Sequence, residues 1–345
     1  MKNWRKWALN GILCMMAVMT LADLAGFGRK GGGLDAQAED SAGITPLKGS
    51  TGLIETVGEI LAAGGQTAEE EKILGGASLT LLANVEGKQS LSAVIQTKEG
   101  SLIVVDGGTV ADADHLTDVL VSKGGHVKAW LITHPHDDHI GALNTILARE
   151  EKRITIDKVY YNFAPVTHYE KDAPPDDITL VKNFIYNLET KLPEEKRDNK
   201  ITKGTQIQVD DVTITVLNRA MKLPVDTINN SSVCYMINVN GVYIDFLGDL
   251  GREGGEELIR MWDTEELKCD ILQMAHHGQN GVTEQVYRIF RPKICLWPTP
   301  QWLWDNDGGD GPDTGDYKIG KTKQWMIDLG VEKHYCTKDG DQVIQ

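Results

Sequence analysis

One short segment restricts the fold of this chain more than any other. Residues 133–139 read Thr-His-Pro-His-Asp-Asp-His and hold three of the nine histidines, directly after the apolar run 127–132. Few packed cores would tolerate so many imidazoles and carboxylates unless they are paired or bind a metal. The segment therefore predicts a buried strand that ends in a polar turn, where ligands for a metal converge.

The spacing within this segment suits two neighbouring cations. Alternate residues of an extended turn point to the same side, so His134 and His136 can bind one cation. Asp138 and His139 can bind an adjacent one. Imidazole and carboxylate are ligands for zinc, manganese or iron, and no cysteine in the cluster favours zinc. We expect one or two divalent metals, zinc or manganese.

Further candidate ligands follow other strand-like runs. Asp249 comes after the apolar residues 242–247, and the pair His276-His277 comes after residues 271–275. A carboxylate has two oxygens and can bridge two metals, which together activate water for hydrolysis. We choose His276 as the ligand of the pair and His277 as its catalytic, substrate-facing partner; the reverse assignment remains open.

The pattern along the chain indicates an α/β protein built from two halves. Each half has several β-rich runs followed by helical patterns, and each places polar residues where strands end. Asp106 ends the run 102–105 and is suited to orienting a histidine that binds metal. Ligand sites of α/β proteins usually lie at such strand ends, so we expect one site between the halves.

The first 38 residues read as a secretory signal peptide. Lys2, Arg5 and Lys6 precede an apolar run over residues 7–21, and Ala36-Gln37-Ala38 resembles a cleavage site. An uncleaved anchor is the alternative. The apolar run is shorter than the ~20 residues that span a bilayer, so we expect a secreted or cell-surface protein without an integral membrane domain. We expect residues 39–74 to form an N-terminal lead-in with two amphipathic helices.

Charge and cysteine content restrict the classes of substrate and metal site that this chain can have. The formal net charge is −15, and no basic patch with interleaved aromatics is present. These features argue against long nucleic acids and favour a small-molecule or cell-envelope substrate. The cysteines that follow the signal peptide show no CxxC spacing, so we expect buried free thiols rather than a zinc knuckle.

Four motifs in a fixed order resemble the metallo-β-lactamase superfamily. They are VVDGG at 104–108, HxHxDH at 134–139, FLGD at 246–249 and HHG at 276–278. The resemblance covers residues 75–345 and implies a four-layer αββα sandwich with metals at one edge between the sheets. It also implies that His134 and His136 bind the first metal, Asp138 and His139 the second, that Asp249 bridges them, and that Asp138 and His277 have catalytic roles.

The chain departs from this superfamily at one ligand position. Many members supply another histidine to the first metal shortly before the strand that leads to the bridging aspartate. Here residues 229–232 are Asn-Asn-Ser-Ser, and no histidine lies between His168 and His276. Two alternatives stay open: an enzyme with one metal on Asp138, His139, Asp249 and His276, or an unexpected ligand such as His168.

The sequence says less about the substrate than about the fold or the metal ligands. Asn-Asn-Ser-Ser, FLGD and HHG are similar to the branch with competence-type extracellular nucleases and choline-phosphate esterases, which implies phosphoester hydrolysis. Trp297, Trp302 and Trp304 could hold a quaternary ammonium group by cation–π attraction, unless they pack against the sandwich. Hydrolysis of a lactam, lactone or thioester is the alternative reaction. A third alternative is a cell-surface binding module without activity.

Overall fold

Two seven-stranded mixed sheets form the centre of a computed structural model that describes residues 73–345. The first sheet, in the order β14-β1-β2-β3-β4-β5-β6, consists of β1 (Ser78–Leu81), β2 (Ser92–Gln96), β3 (Leu102–Asp106), β4 (His126–Leu131), β5 (Thr155–Tyr160), β6 (Arg197–Asp198) and β14 (Gln342–Ile344). The second, in the order β13-β12-β11-β10-β9-β8-β7, consists of β7 (Gln206–Val209), β8 (Val212–Val216), β9 (Tyr235–Val239), β10 (Val242–Phe246), β11 (Ile271–Gln273), β12 (Ile294–Trp297) and β13 (Lys333–Cys336). The predicted signal peptide and most of the predicted lead-in, with both its helices, lie outside the described residues.

The side-chain pattern of β3 shows why the sheets are covered on both faces. All five residues of this strand are buried. Ile103 and Val105 point into the core between the two sheets, whereas Leu102 and Val104 point into a second core beneath helices. Because successive side chains of a strand alternate between faces, a continuous apolar run fits a strand that is buried on both sides.

Helices cover the outer face of each sheet. The described chain contains α1 (Ala113–Ser122), α2 (Asp137–Ala148), α3 (Val166–Tyr169), α4 (Pro175–Lys191), α5 (Arg252–Leu258), α6 (Glu284–Phe290), α7 (Gln301–Trp304) and α8 (Ile319–Asp328). Apolar residues of α1, α2 and α4 pack on the first sheet, and those of α5, α6 and α8 pack on the second. The predicted four-layer αββα sandwich is confirmed.

The topology brings the predicted site residues to one edge. β3 and β4 pair in parallel, as do β10 and β11, so the carboxyl ends of each pair lie side by side. Asp106 ends β3, the histidine cluster follows β4, and Asp249 and the His276-His277 pair follow β10 and β11. Polar residues far apart in the sequence therefore meet where these strands end.

The cysteines behave as the sequence indicates. Cys234, Cys269, Cys295 and Cys336 are all free and buried. Burial raises the pKa of the Cys234 thiol, which keeps it protonated at neutral pH. Within residues 73–345, none of the helices has the length and apolar character needed to cross a bilayer.

His334 is a partly buried histidine whose protonation should destabilise the folded protein. The indole Nε1 of Trp297 donates a hydrogen bond to its Nδ1 over 3.0 Å, and burial lowers the pKa of His334 from 6.5 to about 4. Between these two pH values the unfolded chain binds a proton that the folded chain does not. The free energy of unfolding should therefore fall as the pH drops through this interval.

We expect His334→Gln to weaken this dependence. The glutamine carbonyl can still accept from Trp297 but does not titrate. Urea unfolding at pH 7 and pH 4 should show the variant losing less stability than the wild type, by on the order of 2 kcal/mol. The exposed His126, which pairs with Asp157, provides a control, because His126→Gln should leave most of the acid sensitivity in place. Equal losses in His334→Gln and wild type would contradict the assignment.

Candidate metal centre

The histidine cluster occupies the turn between β4 and α2. The backbone of His136 is extended, and the helix begins at Asp137. Asp137 and Asp138 lie in the first turn of α2, where the helix dipole favours negative charge. Gly141 allows this helix to pack closely, since a Cβ atom there would come within 2.5 Å of the backbone nitrogen of Val110. The local sequence thus determines where the turn ends and how closely α2 packs against Val110.

Four side chains converge tightly enough to hold a metal ion. Ligand atoms of Asp138, His139, Asp249 and His277 all lie within 4.8 Å of one another. Nε2 of His277 is 3.0 Å from Oδ2 of Asp138 and 3.3 Å from Oδ2 of Asp249. Nε2 of His139 is 3.2 Å from Oδ1 of Asp249. We call these residues the four-residue group.

The donor atoms of this group fit a divalent cation. Nε2 of His139 and Oδ1 of Asp249 are buried; although they lie 3.2 Å apart, they are not aligned for a hydrogen bond, and within the described residues neither has a hydrogen-bond partner. Such orphaned atoms cost free energy unless something satisfies them. Two imidazoles and two carboxylates without a thiolate form a donor set suited to zinc or manganese. The group therefore can hold one metal.

Hydrogen bonds fix which nitrogen each histidine presents. Nδ1 of His139 donates to Oδ2 of Asp106 over 2.7 Å, and Nδ1 of His277 donates to the carbonyl of Pro298 over 2.9 Å. Nδ1 of His134 lies 3.1 Å from Oγ of Thr133. In each case the contact at Nδ1 turns Nε2 toward the site, which is the usual orientation of histidines at metal sites.

The pKa of each residue in the four-residue group depends strongly on the charges of the others. Burial acts to lower the pKa of His277, but the carboxylates of Asp249 and Asp138 outweigh it and raise that pKa to about 9. Burial acts to raise the pKa of Asp249, yet His277 and His139 hold it well below its usual range. The carboxylates are thus ionised and retain protons on the imidazoles. A bound cation would replace those protons, so metal binding should release them.

His134 and His136 lie beside this group. Nε2 of His134 is 3.0 Å from Nδ1 of His136 and 4.0 Å from Oδ2 of Asp249. Burial, followed by the neighbouring charge of His139, holds the pKa of His134 well below its usual range, which keeps the ring neutral as a ligand must be. The two rings are therefore placed to bind a second cation next to the first.

Asp106 occupies the position expected of an orienting carboxylate. It is fully buried and accepts hydrogen bonds from the backbone nitrogen and the hydroxyl of Thr133, at 2.8 and 2.7 Å, as well as from His139. Its backbone is left-handed, with φ 54°. Thr133, which the sequence analysis did not single out, thereby links Asp106 to His134.

The structure differs from our preferred choice within the His276-His277 pair. His277 belongs to the four-residue group, whereas Nε2 of His276 is 3.9 Å from Oδ2 of Asp249 and lies outside the group. Both residues have left-handed backbone, with φ 52° and 54°. The direction of each ring depends on this backbone conformation, which is uncommon for residues other than glycine and which side-chain chemistry alone does not reveal.

The segment that lacks the expected histidine supports the bridging aspartate. Oγ of Ser232 accepts from the backbone nitrogen of Asp249 over 3.2 Å. Oδ1 of Asn230 accepts from the backbone nitrogens of Gly251 and Gly254, at 3.1 and 3.0 Å. Gln273, a buried polar residue in an apolar strand, accepts from the backbone of Leu247 over 2.8 Å. These residues hold the backbone around Asp249 in place. Gln273 could have been identified from the sequence, because it is a polar residue within an apolar strand-like run.

His168 lies in α3 and does not belong to the four-residue group. It is buried, and its Nδ1 is 3.2 Å from the ammonium nitrogen of Lys171. Burial, followed by the charge of Lys171, lowers the pKa of His168. A cation next to Lys171 would meet a positive charge, so the structure does not favour His168 as a substitute ligand.

The three tryptophans have different environments. Trp297 is fully buried in β12, so it cannot face a substrate, and that prediction is wrong. The ring of Trp304 already lies 4.1 Å from the ammonium of Lys323, which takes the place that a quaternary ammonium would need on that face. Trp302 is partly exposed, and its Nε1 donates to the carbonyl of Gly87 over 3.0 Å. It alone of the three remains a candidate for substrate contact.

Comparisons with known proteins agree with the architecture. A family model described as "Metallo-beta-lactamase superfamily" matches residues 85–292. A search of curated protein sequences found no significant match. Among solved structures, the chain is similar to the metallo-β-lactamase fold protein YhfI from Bacillus subtilis, with 10% identity over 78% of this chain and 99% of that one and a TM-score of 0.46.

Two enzymes are among the other similar structures. A B3 metallo-β-lactamase with an active-site glutamic acid shares 19% identity over 80% of this chain and 92% of that one, with a TM-score of 0.40. A diphosphatase of the PhnP family shares 14% identity over 68% and 93%, with a TM-score of 0.38. The family match spans more than half of the sequence and includes the four-residue group. This chain therefore belongs to the metallo-β-lactamase superfamily of metal-dependent hydrolases.

Proposed function

We propose that this protein is an exported hydrolase of phosphoesters, of the phosphodiester or choline-phosphate type. One observation carries the proposal: Asp249 lies between the four-residue group and a histidine outside it. Within the group, Oδ1 is 3.2 Å from His139 and Oδ2 is 3.3 Å from His277, and Oδ2 is also 4.0 Å from Nε2 of His134, outside the group. This position supports a role for Asp249 as a ligand shared by two cations, zinc or manganese.

Two adjacent metals suit substitution at phosphorus. When bound, such a pair activates water and stabilises both the attacking and the leaving oxygen of an in-line displacement. The chain's own contribution is to hold the imidazoles through their Nδ1 protons and to keep Asp249 ionised. Asp138 is partly exposed, with 27% of its side chain accessible, and lies on the side that a substrate can approach. Its contact with His277 supports a catalytic role for this pair.

Trp302 supports a substrate with an apolar or cationic group. Its indole donates a hydrogen bond to the carbonyl of Gly87. Gly87 lies in the loop that leads to Leu91, whose backbone nitrogen donates to the backbone carbonyl of Asp138 over 3.1 Å. The ring also packs edge-to-face on Tyr317, with centroids 5.4 Å apart. An aromatic pair beside the loop that contacts Asp138 could receive a choline-like head group. The signal-like N-terminus supports export and a small-molecule or cell-envelope substrate.

A substrate panel tests the proposal. We expect protein loaded with Zn²⁺ or Mn²⁺ to hydrolyse bis-p-nitrophenyl phosphate or p-nitrophenyl phosphorylcholine faster than nitrocefin or a lactone, with single-stranded DNA a poor substrate. Chelation should abolish turnover, and added metal should restore it. Faster turnover of nitrocefin or lactone would favour the acyl alternative. Metal-loaded protein that is inert toward all phosphoesters would contradict the proposal, and ligand binding without turnover would indicate a binding module.

A further inference from the structure

His276 is a strained histidine beside the metal centre that the four-residue group leaves out. Its backbone is left-handed, with φ 52° and ψ 52°, and His277 follows in the same region. Each such residue costs about 1–2 kcal/mol when it is not glycine, and strain of this kind is concentrated at functional sites. Both histidines of the pair are therefore held in an uncommon backbone conformation at the edge of the metal centre.

The ring of His276 points toward the centre. Its Nε2 is 3.9 Å from Oδ2 of Asp249, and Nε2 of His134 is 4.0 Å from the same oxygen. The side chain is only 20% exposed, and within residues 73–345 its buried Nδ1 has no hydrogen-bond partner. Two imidazoles thus approach one carboxylate oxygen at distances too long for hydrogen bonds. A cation beside this oxygen would lie within reach of both Nε2 atoms.

The charges around His276 also favour a cation. The carboxylate of Asp226 interacts electrostatically with both His276 and His136, as well as with Asp249. Asp226 itself has left-handed backbone, with φ 46°, and its Oδ2 accepts from Nδ2 of Asn229 over 3.2 Å. Residues 229–232 face this region from the position where many superfamily members carry a histidine. In this chain they contribute a hydrogen-bonded turn and no imidazole.

We propose that His276 binds the first metal with His134 and His136, in place of the histidine that the chain lacks between residues 229 and 232. Asp249 then joins this ion to the one held by the four-residue group. The adjacent histidines divide between the two metals, His276 on the first and His277 on the second. This inference rests on the metal-dependent hydrolysis proposed above, and it assigns the His-His pair one imidazole for each ion.

Metal stoichiometry tests the assignment without relying on activity. His276→Asn removes the imidazole, while asparagine tolerates left-handed backbone. After equilibrium dialysis of the full chain against Zn²⁺ or Mn²⁺, elemental analysis should show a drop from about two bound ions to about one. His134→Asn should give the same loss. His276→Asp, which restores a ligand in the same turn, should regain much of the second ion.

Double variants identify which ion each histidine binds. His134→Asn combined with His276→Asn should lose no more metal than either single change, since both act at one site. His277→Asn combined with His276→Asn should lose both ions. Thermal unfolding of each variant verifies that it folds. The inference is overturned if His276→Asn binds both ions with wild-type affinity. It is also overturned if the variant that combines His134→Asn and His276→Asn loses a further ion.

The same experiment separates this inference from the proposed function. A wild type that binds a single ion, unaffected by His276→Asn, would overturn the inference while hydrolysis by one metal stands. A wild type that binds two ions, one of which depends on His276, but hydrolyses no phosphoester would support the inference and contradict the proposed substrate.

Discussion

Asp249→Asn should abolish both metal binding and hydrolysis. The carboxylate is 2% exposed, stays ionised and lies between two imidazoles of the four-residue group, with His134 4.0 Å away outside it. Asparagine keeps the shape of the aspartate side chain but removes the charge that would stabilise a bound cation and offers only one ligand oxygen. Loss of a residue that hydrogen-bonds a metal ligand typically costs about 10–100-fold in metal affinity or activity, and loss of a ligand itself should exceed that range. We expect kcat/KM to fall by more than about 100-fold.

Asp245 provides a matched control for this variant. It lies four residues earlier, in β10, and is equally buried, but neither carboxylate oxygen has a hydrogen-bond partner among the described residues. Burial raises the pKa of Asp245 well above its usual value, so this acid is neutral. Asp245→Asn should keep wild-type metal content by elemental analysis. If Asp249→Asn also keeps its metal and stays within tenfold of wild-type kcat/KM, the bridging role is wrong.

The layered fold could be predicted because its signals are local. Apolar runs such as residues 102–105 indicate strands buried on both faces, and their polar ends indicate where a site lies. Pairing between distant segments has no such signal. Residues 333–344 illustrate this. They contain two strands, and β13 joins the second sheet whereas β14 pairs with β1 of the first.

The candidate site could be predicted in its composition but not in its geometry. The ligand types at strand ends are visible in the sequence, and the structure brings Asp138, His139 and Asp249 together. The choice between His276 and His277 depends on the directions of two rings on consecutive left-handed residues, and side-chain chemistry does not encode those directions. The Trp297 error has a similar origin. Trp297 ends β12 and points into the core, a property of strand register rather than of residue type.

Asp106→Asn should weaken metal binding while leaving every metal ligand in place. Oδ2 of Asp106 accepts from Nδ1 of His139, and this bond leaves Nε2 of His139 free for the metal. Asparagine tolerates the left-handed backbone at this position, but its amide replaces one acceptor oxygen with a donor. That donor would face either His139 or Thr133, and one bond must break. We expect a roughly 10–100-fold increase in the metal dissociation constant, measured by competition with a chelator.

Asp112→Asn separates this orienting role from a general loss of stability. Asp112 is 3% exposed and accepts hydrogen bonds from the backbone nitrogen and the hydroxyl of Thr109, at 2.7 and 2.9 Å. It holds a turn much as Asp106 does, yet it contacts no histidine of the cluster. Both variants should unfold at lower denaturant concentration, because each leaves a buried donor unpaired. Only Asp106→Asn should change metal affinity. Equal affinity in the two variants would mean that Asp106 stabilises the strand end without orienting His139.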